Sequence, residues 1–233
     1  MRTMKIMKQM MSLAAAILAL SGCSSEDDIL SAYHNDPDAV HITAEVGKAS
    51  ADGFTRSNPL GTPDDQKKFN NGDMISVKAD GQEAVTYKLD GEEWVPQSVK
   101  FLKWESETMN FTAYYPASYT GGAITQPTAY PDEASLIAAD YMSFIGDVKN
   151  PDDNSLKLTM ERQMARVVVE IADFNDQYDQ KTSVNSVTIH TSKGEVKAYK
   201  HSDGKFYALM VPCEADANAK FLKLSVGEGN AEE

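Results

Sequence analysis

The stretch AVHITAEVGKASADGFTRSNPLG, residues 39–61, places a strand pattern directly ahead of a segment with the composition of a linker. Apolar and polar residues alternate from Val40 to Val46, which is the period-two signature of a strand with one buried face. The residues around Arg56 are rich in Gly, Ser and Asp, and Asn-Pro-Leu-Gly follows them. Such residues form turns and exposed loops. The sequence therefore predicts a core strand joined to a segment that a protease can reach.

Composition describes a folded chain of one or two domains. The chain has 233 residues, of which 42% are hydrophobic and 24% are charged, so it is long enough to bury a real core. The formal net charge is -13, and no stripe of Lys and Arg is visible. Nucleic-acid binding needs clustered basic residues to contact phosphates. A nucleic-acid partner is therefore not expected.

The N-terminus predicts a signal peptide, residues 1–22. A basic start precedes an apolar run over residues 10–20, which is too short to span a bilayer because spanning takes about 20 residues. The run ends in Leu-Ser-Gly-Cys, which resembles a bacterial lipobox. The resemblance implies that Cys23 becomes the first mature residue and carries acyl chains such as palmitate that anchor the protein in a membrane. The alternative is a free or buried cysteine that follows a signal peptide.

Residues 23–38 are predicted to form an acidic tether. The stretch Ser-Ser-Glu-Asp-Asp at residues 24–28 resembles the signal that sends some Bacteroidetes lipoproteins to the outer face of the outer membrane. That resemblance predicts a surface-exposed protein of the outer membrane. The alternative is an ordinary solvated linker. Cys213 is the one further cysteine, so the mature chain is expected to fold without an intramolecular disulfide.

The rest of the chain predicts an all-β fold with two β-sandwich domains. Short strand patterns recur with turns between them, which is typical of a sandwich. Residues 132–144 suit either a helix or a strand. The polar turn cluster at residues 150–154 marks the predicted boundary between domains 39–150 and 151–233. The predicted strands are 40–46, 75–79, 85–89, 94, 101–104, 111–116, 156–160, 166–171, 184–190, 196–199, 206–211 and 221–226.

The second domain has six predicted strands, and the last covers residues 221–226. A sandwich of this kind usually has a seventh strand. We therefore expect an incomplete second sandwich with an open, apolar sheet edge.

No catalytic constellation is recognisable in the sequence. The motifs of serine hydrolases, zinc proteases, phosphate-binding loops and redox dithiols do not occur, and the four histidines are scattered. Two acidic clusters, residues 35–38 and 152–154, lack the spacing of a calcium loop and are interpreted as turns. The chain is therefore expected to be neither an enzyme nor a holder of a metal or cofactor.

Aromatic residues in the first domain allow a glycan-binding hypothesis. The candidate contacts are Trp94, Trp104, Tyr114 and Tyr119. Aromatic side chains on strands more often belong to the core, since each buries about 150 to 250 Å². Adjacent tyrosines on a strand point to opposite faces, so at least one of Tyr114 and Tyr115 is expected to face outward.

Several motifs taken together are similar to the fimbrillin family, the type V pilins of Bacteroidetes. They are the lipobox, the strand at 39–44, Thr-Arg-Ser at 55–57, FNNGDMISV at 69–77, NFTAYYP at 110–116 and MARV at 164–167. The resemblance implies two tandem transthyretin-like Greek-key sandwiches and export as a lipoprotein. It also implies a cut by a trypsin-like protease between Arg56 and Ser57, which would detach the lipid together with the first strand.

The family resemblance predicts assembly into a pilus by donor-strand exchange. A strand of another pilin subunit would fill the groove that the first strand leaves. A possible surface ligand, on a host or another bacterium, would give the pilus an adhesion role. Three alternatives stay open: Arg56 in an uncut linker, with the chain as a pilus anchor; a monomeric glycan-binding lipoprotein; and an accessory domain of an enzyme.

Overall fold

The computed structural model describes residues 26–47, 59–61, 67–176, 178, 182–213 and 220–228, and β-strands are the main secondary structure among them. The two helices are α1 (Glu26–Asn35) and α2 (Glu133–Ala138). The strands up to the middle of the chain are β1 (His41–Val46), β2 (Met74–Ala79), β3 (Val85–Asp90), β4 (Glu93–Pro96), β5 (Thr108–Tyr115), β6 (Met142–Lys149) and β7 (Ser155–Arg162). The remaining strands are β8 (Ala165–Val169), β9 (Thr182–Thr191), β10 (Gly194–Lys197), β11 (Tyr199–Lys200), β12 (Phe206–Met210) and β13 (Leu222–Glu228).

The first seven strands form one sheet in the order β1-β7-β6-β5-β2-β3-β4. Strands β6 and β7 pair only at Met142–Arg162 and Ser143–Glu161, so they diverge toward the turn that joins them. This divergence folds the sheet over, and β1 at one end contacts β4 at the other. The two ends enclose the first hydrophobic core, which includes Ile42, Ile75, Val77, Tyr87, Phe111, Leu156, Leu158 and Met160.

Two three-stranded sheets form the second sandwich. Their orders are β10-β9-β13 and β11-β12-β8. Val187 and Ile189 of β9 and the residues Phe206 to Met210 of β12 all belong to the second core. All five residues of β12 are buried. The all-β sandwich prediction is confirmed, and strands occur at each of the predicted second-series positions.

The connection between β5 and β6 also belongs to the second core. Tyr130 lies in it, and its hydroxyl donates a hydrogen bond to the backbone oxygen of Leu209 at 2.7 Å. Asp132 caps α2, because its side chain accepts a hydrogen bond from the backbone N–H of Ser135 while the Ser135 hydroxyl lies near the Asp132 N–H. Helix α2 then buries Leu136 in the same core. Residues 132–144, where either element was expected, therefore contain a helix and the start of β6.

The two cores are interleaved along the chain, unlike the linear division expected from the turn cluster. The segment 150–154 joins β6 to β7 within the first sheet. Leu156, Leu158 and Met160 are fully buried in the first core, whereas a boundary at 150–154 predicts that they belong to the second domain. Turn residues mark a hairpin as well as they mark a domain boundary, so composition alone does not separate the two.

Residues of the expected acidic tether form part of the first domain. Helix α1 occupies 26–35, and Tyr33 on this helix is 1% exposed in the first core. Neither α1 nor α2 is long and apolar enough to cross a membrane, within the residues that the structure describes.

Candidate functional site

The candidate site is the edge of the seven-stranded sheet, where β1 lies against β7. The two strands are parallel and pair from His41–Ser155 to Val46–Met160, along the full length of β1. Both strands alternate, so Ile42 and Val46 turn inward together with the buried side chains of β7. The outward residues interact as well, since the Thr159 hydroxyl donates to a carboxylate oxygen of Glu45 at 3.1 Å. Strand β1 thus completes one side of the first core.

Backbone hydrogen bonds continue the pairing beyond both ends of β1. The N–H of His41 donates to the oxygen of Asn154 at 3.0 Å, and the N–H of Gly47 donates to the oxygen of Met160 at 2.9 Å. No other described strand pairs with the free side of β1. Strand β7 pairs with β1 at six positions and with β6 at only two, at its end. Most of the backbone pairing of β7 with a neighbouring strand therefore comes from β1.

Helix α1 attaches the segment ahead of β1 to the same core. The Tyr33 ring packs edge-on against Phe101 with ring centres 5.5 Å apart, and it also contacts Tyr87 and His41. Its hydroxyl donates to the backbone oxygen of Val40 at 3.0 Å. Burial raises the pKa of Tyr33 above the ordinary value, so the phenol stays neutral. The helix and the strand are thus linked to each other and to the body of the domain.

The link between α1 and β1 also pairs with residues 102–104. The N–H of Val40 donates to the oxygen of Leu102 at 2.9 Å, and the N–H of Trp104 donates to the oxygen of Asp38 at 2.8 Å. Lys103 forms an ion pair with Asp36 at 2.5 Å, and its hydrogen bond lowers the pKa of that carboxyl. The Lys103 side chain of this ion pair is 47% exposed, so the pair contributes little to stability. The backbone hydrogen bonds with residues 102–104 therefore hold this link against the domain.

Asn154 joins this link to the turn between β6 and β7. Its backbone oxygen accepts from His41 and also from the indole N–H of Trp104 at 3.0 Å, while its amide donates to the oxygen of Pro37. The residue has a φ of 55°, in the left-handed region that Asn tolerates better than most residues. Sequence reasoning treated Asn154 as a turn former and missed its contacts.

A buried ion pair lies at the far end of β7. Arg162 donates to both carboxylate oxygens of Asp140, from Nε at 2.6 Å and from Nη2 at 2.8 Å, and the carboxylate is fully buried. Burial raises the pKa of Asp140 to about 7, although Arg162 opposes the shift. Arg166 of β8 and Asp73, to which Tyr115 donates a hydrogen bond, also act on this carboxylate. The pair connects β7 to Asp140, in the short link between α2 and β6.

A second surface with an unusual composition is the face of β13. Leu222, Leu224 and Val226 pair with Ile189, Val187 and Val184 of β9. Opposed residues of antiparallel strands share a face of the sheet, so these three side chains point to the side of the second core. They are nevertheless 39%, 43% and 42% exposed. The expected open, apolar edge of the second sandwich is therefore present in the described structure at β13.

The predicted site residues fall into three groups. Cys23, Arg56 and Ser57 lie outside the residues that the structure describes. Trp94 and Trp104 are 2% and 6% exposed, so both rings are packed in the first core and offer no face to a sugar.

Tyr114 and Tyr119 remain half-buried at the surface. Their rings meet edge to face at 5.3 Å, and Tyr119 also contacts Tyr141 at 4.8 Å. Tyr114 faces outward from β5 while Tyr115 is buried, as the alternation required. Within the described residues, no group of three or more His, Cys, Asp or Glu side chains could hold a metal ion.

Tyr33 is the residue of this site that sequence reasoning missed. The signal was present as Ile29, Leu30 and Tyr33, whose spacing places them on one side of a helix. The acidic residues before them favoured the interpretation as a tether. A short amphipathic helix and a solvated linker have similar compositions, and the packing of Tyr33 decides between them.

Comparison with known proteins gives one family and several structures. The family model described as fimbrillin-like matches residues 55–208. A search of curated proteins gave no match. A fimbrial protein from Bacteroides ovatus is similar in structure with a TM-score of 0.50 and 14% identity, covering 83% of this chain and 46% of that protein. This chain therefore spans less than half of that fimbrial protein.

Two further solved structures are named as cell adhesion proteins. The one from Bacteroides ovatus has a TM-score of 0.54 at 10% identity, and the alignment covers 84% of both chains. The one from Bacteroides thetaiotaomicron has a TM-score of 0.50 at 15% identity, with 82% of both chains covered. At such low identity these likenesses establish a shared fold.

Proposed function

The chain belongs to the fimbrillin-like family, and we propose that it is a structural subunit of a surface fimbria with a role in adhesion. In this proposal the protein is exported as a lipoprotein anchored through Cys23 to the outer membrane. A trypsin-like protease then cuts between Arg56 and Ser57. Subunits join by donor-strand exchange, in which a strand of one subunit fills the groove that the cut opens in another.

The position of β1 is the observation that carries the proposal. It is an edge strand with buried side chains, and Arg56 lies between it and β2 in the sequence. A cut after Arg56 separates α1 and β1 from the rest of the chain without breaking any strand that the structure describes. If the separated segment left, β7 would have an unpaired edge and Leu156, Leu158 and Met160 would lose the neighbouring strand whose side chains share their face of the sheet.

An edge of this kind is a template for another strand. Unpaired backbone groups give affinity to an incoming strand, and the alternating apolar side chains fix its register. Because the donor and the acceptor surfaces differ, the contact is head-to-tail and does not close on itself. Repetition of such a contact produces a filament.

The open face of β13 supports assembly through a second surface. Its three apolar side chains lie in a row on a strand that has β9 on one side and no described strand on the other. Isolated apolar residues are normal on a surface, but a contiguous row on a free sheet edge is typical of an interaction site. A neighbouring subunit would cover this row in the fimbria.

A non-enzymatic role without a cofactor is part of the same proposal. The partners are other fimbrial subunits, the maturation protease, the outer membrane through the lipid, and a ligand on the surface of a host or bacterium. Tyr114 and Tyr119 are the remaining candidates for contact with a glycan, since both keep part of their ring at the surface.

An uncut anchor subunit is the second candidate function. The observation in its favour is the burial of Tyr33, which holds the N-terminal segment to the first core more firmly than β1 alone would. In an anchor, β1 would stay in place and Cys23 would connect the filament to the membrane. Other subunits would then join only through the β13 face.

Treatment of the purified mature chain with an arginine-specific protease tests the main proposal. We expect a single cut at Arg56, followed by concentration-dependent growth of assemblies that size-exclusion chromatography and electron microscopy detect. Arg56→Lys is the matched control, because it keeps the charge but removes the cleavage site. Cut chains that have lost the fragment ending at Arg56 and still remain monomeric at high concentration would contradict the proposal and leave the anchor role.

A further inference from the structure

We propose that Tyr33 acts as an internal lock that retains the N-terminal segment, residues 26–47, after the cut at Arg56. Proteolysis then breaks the chain without opening the β7 edge, and an incoming strand must displace the segment before assembly. The inference rests on the proposed cleavage and strand exchange, and it adds the residue that keeps a cut subunit closed.

The N-terminal segment is buried through Tyr33 of α1 as well as through β1. Tyr33 is 1% exposed, which is less than either of the inward residues of β1, Ile42 at 4% and Val46 at 7%. An aromatic side chain buries a larger area than an aliphatic one. The buried contacts of Tyr33 therefore add to the contacts that the side chains of β1 make.

Two of the aromatic residues that contact Tyr33 lie after the cleavage site in the sequence. Phe101 and Tyr87 belong to the part of the chain that follows Arg56, so the ring joins the segment to the body of the domain. Tyr87 is itself fully buried, and its hydroxyl accepts a hydrogen bond from the N–H of Leu102 at 2.9 Å. The Tyr87 ring that Tyr33 contacts is thus itself fixed by a hydrogen bond within the body of the domain.

Within the segment, a hydrogen bond from Tyr33 couples α1 to β1. The Tyr33 hydroxyl donates to the oxygen of Val40, one residue before β1 begins. A buried hydroxyl with a partner carries no penalty for lost hydration. The bond also fixes Tyr33 relative to β1, so the segment is expected to leave as one unit. The ring and the strand pairs must then be lost in the same event.

The consequence is a cut subunit that stays closed. A strand that competes for β7 meets a segment held by the parallel ladder, by the backbone pairs at residues 102–104 and by the Tyr33 ring. The surface ion pairs of the segment, Lys103–Asp36 and His34–Glu93, are too exposed to contribute much. Tyr33 is therefore the side chain whose loss should weaken retention most without changing β1 or β7.

The test measures how fast the cut segment dissociates from the full mature chain. After cleavage by an arginine-specific protease, native mass spectrometry and size-exclusion chromatography follow the fragment that ends at Arg56. We expect the wild-type fragment to remain bound through the column. Tyr33→Ala should speed its dissociation at least about 30-fold, since a buried aromatic residue is replaced by a methyl group. Tyr33→Phe should stay within about tenfold of the wild type, because it loses only one hydrogen bond.

Tyr178→Ala is the matched control, because Tyr178 is 48% exposed and contacts Phe174 outside this segment. Its fragment should dissociate as slowly as that of the wild type. A wild-type fragment that leaves as soon as it is cut, or equal rates for Tyr33→Ala and the wild type, would overturn the proposal.

Hydrogen exchange of the uncut chain tests whether Tyr33 retains β1 on β7, and it does not depend on cleavage at Arg56. Tyr33→Ala should raise the exchange rates of the backbone amides of β1 and of the β7 amides paired with it, and leave those of β9 unchanged. Unchanged exchange in β1 would overturn the inference, whereas failure of the cut alone would count only against the proposed function.

Discussion

Leu224 lies directly opposite Val187 in the β9–β13 ladder, yet Val187 is fully buried and Leu224 is 43% exposed. Both side chains point to the same face of their sheet. Within the residues that the structure describes, the opposite sheet, β11-β12-β8, therefore covers β9 but does not extend over β13. In this described part of the chain, the second sandwich has an exposed strip of apolar side chains along one strand.

Charges placed on this strip should reduce self-association while leaving the fold stable. In the variant Leu222→Asp/Leu224→Asp, both substituted positions are partly solvated, so we expect a loss of unfolding free energy below about 1 kcal/mol. Assembly of the cut protein should become slower, because a covering strand would have to bury the new carboxylates. Light scattering of the cut protein measures the assembly rate.

Ser225→Asp provides the control for that experiment, since it adds a negative charge to the opposite face of the same strand. It should assemble at nearly the wild-type rate. Equal slowing by Ser225→Asp would mean that net charge, and not the apolar strip, controls the association.

Strand β7 should be essential to the stability of the first core. Leu158 is fully buried between the strands of this core, so Leu158→Ala should lower the free energy of unfolding by about 2 to 5 kcal/mol. Lys157, the preceding residue, faces solvent, and Lys157→Ala should change it by less than about 0.5 kcal/mol. Urea unfolding followed by tryptophan emission is a suitable measurement because both tryptophans lie in the first core. Similar small effects of both substitutions would place β7 outside that core.

The Asp140 carboxylate should make stability depend on pH. Its pKa is about 7 in the folded chain and about 3.9 in an unfolded one, so the folded state binds the proton more tightly. The resulting stabilisation is complete below about pH 4 and is lost as the pH rises through about 7. The groups that act on this carboxylate are Arg162, Arg166 and Asp73.

Asp140→Asn removes this titration. We therefore expect the unfolding free energy of the wild type, measured relative to that of the variant by urea titration, to fall between pH 4 and pH 7. Asp80→Asn, at an exposed position, should leave the wild-type pH profile unchanged. A wild-type profile parallel to that of Asp140→Asn would show that Arg162 keeps the carboxylate ionised throughout the range.

Much of the fold could be predicted from local patterns. The alternation from Val40 to Val46 specifies β1, because only one face of that stretch can be buried. The same reasoning located β2, β3 and β9. These features depend on short-range periodicity, which a sequence records directly.

The pairing between distant strands could not be predicted in the same way. Nothing within β1 shows that it pairs in parallel with β7, more than 100 residues later, because the apolar stripe of β1 would fit several strands. The interleaving of the cores has the same origin, since the turn at 150–154 is compatible with a hairpin and with a linker. The Tyr33 contacts depend on side chains from three separated segments, and local composition does not contain that information.

The central claim is tested most directly by intact-mass and N-terminal analysis of the protein isolated from its native cell surface, with assembled and unassembled material analysed separately. The account predicts that chains in the assembled material begin at Ser57 and lack the lipid. Assembled chains that all begin at an acylated Cys23 would contradict it, because β1 would then still occupy the β7 edge in every subunit.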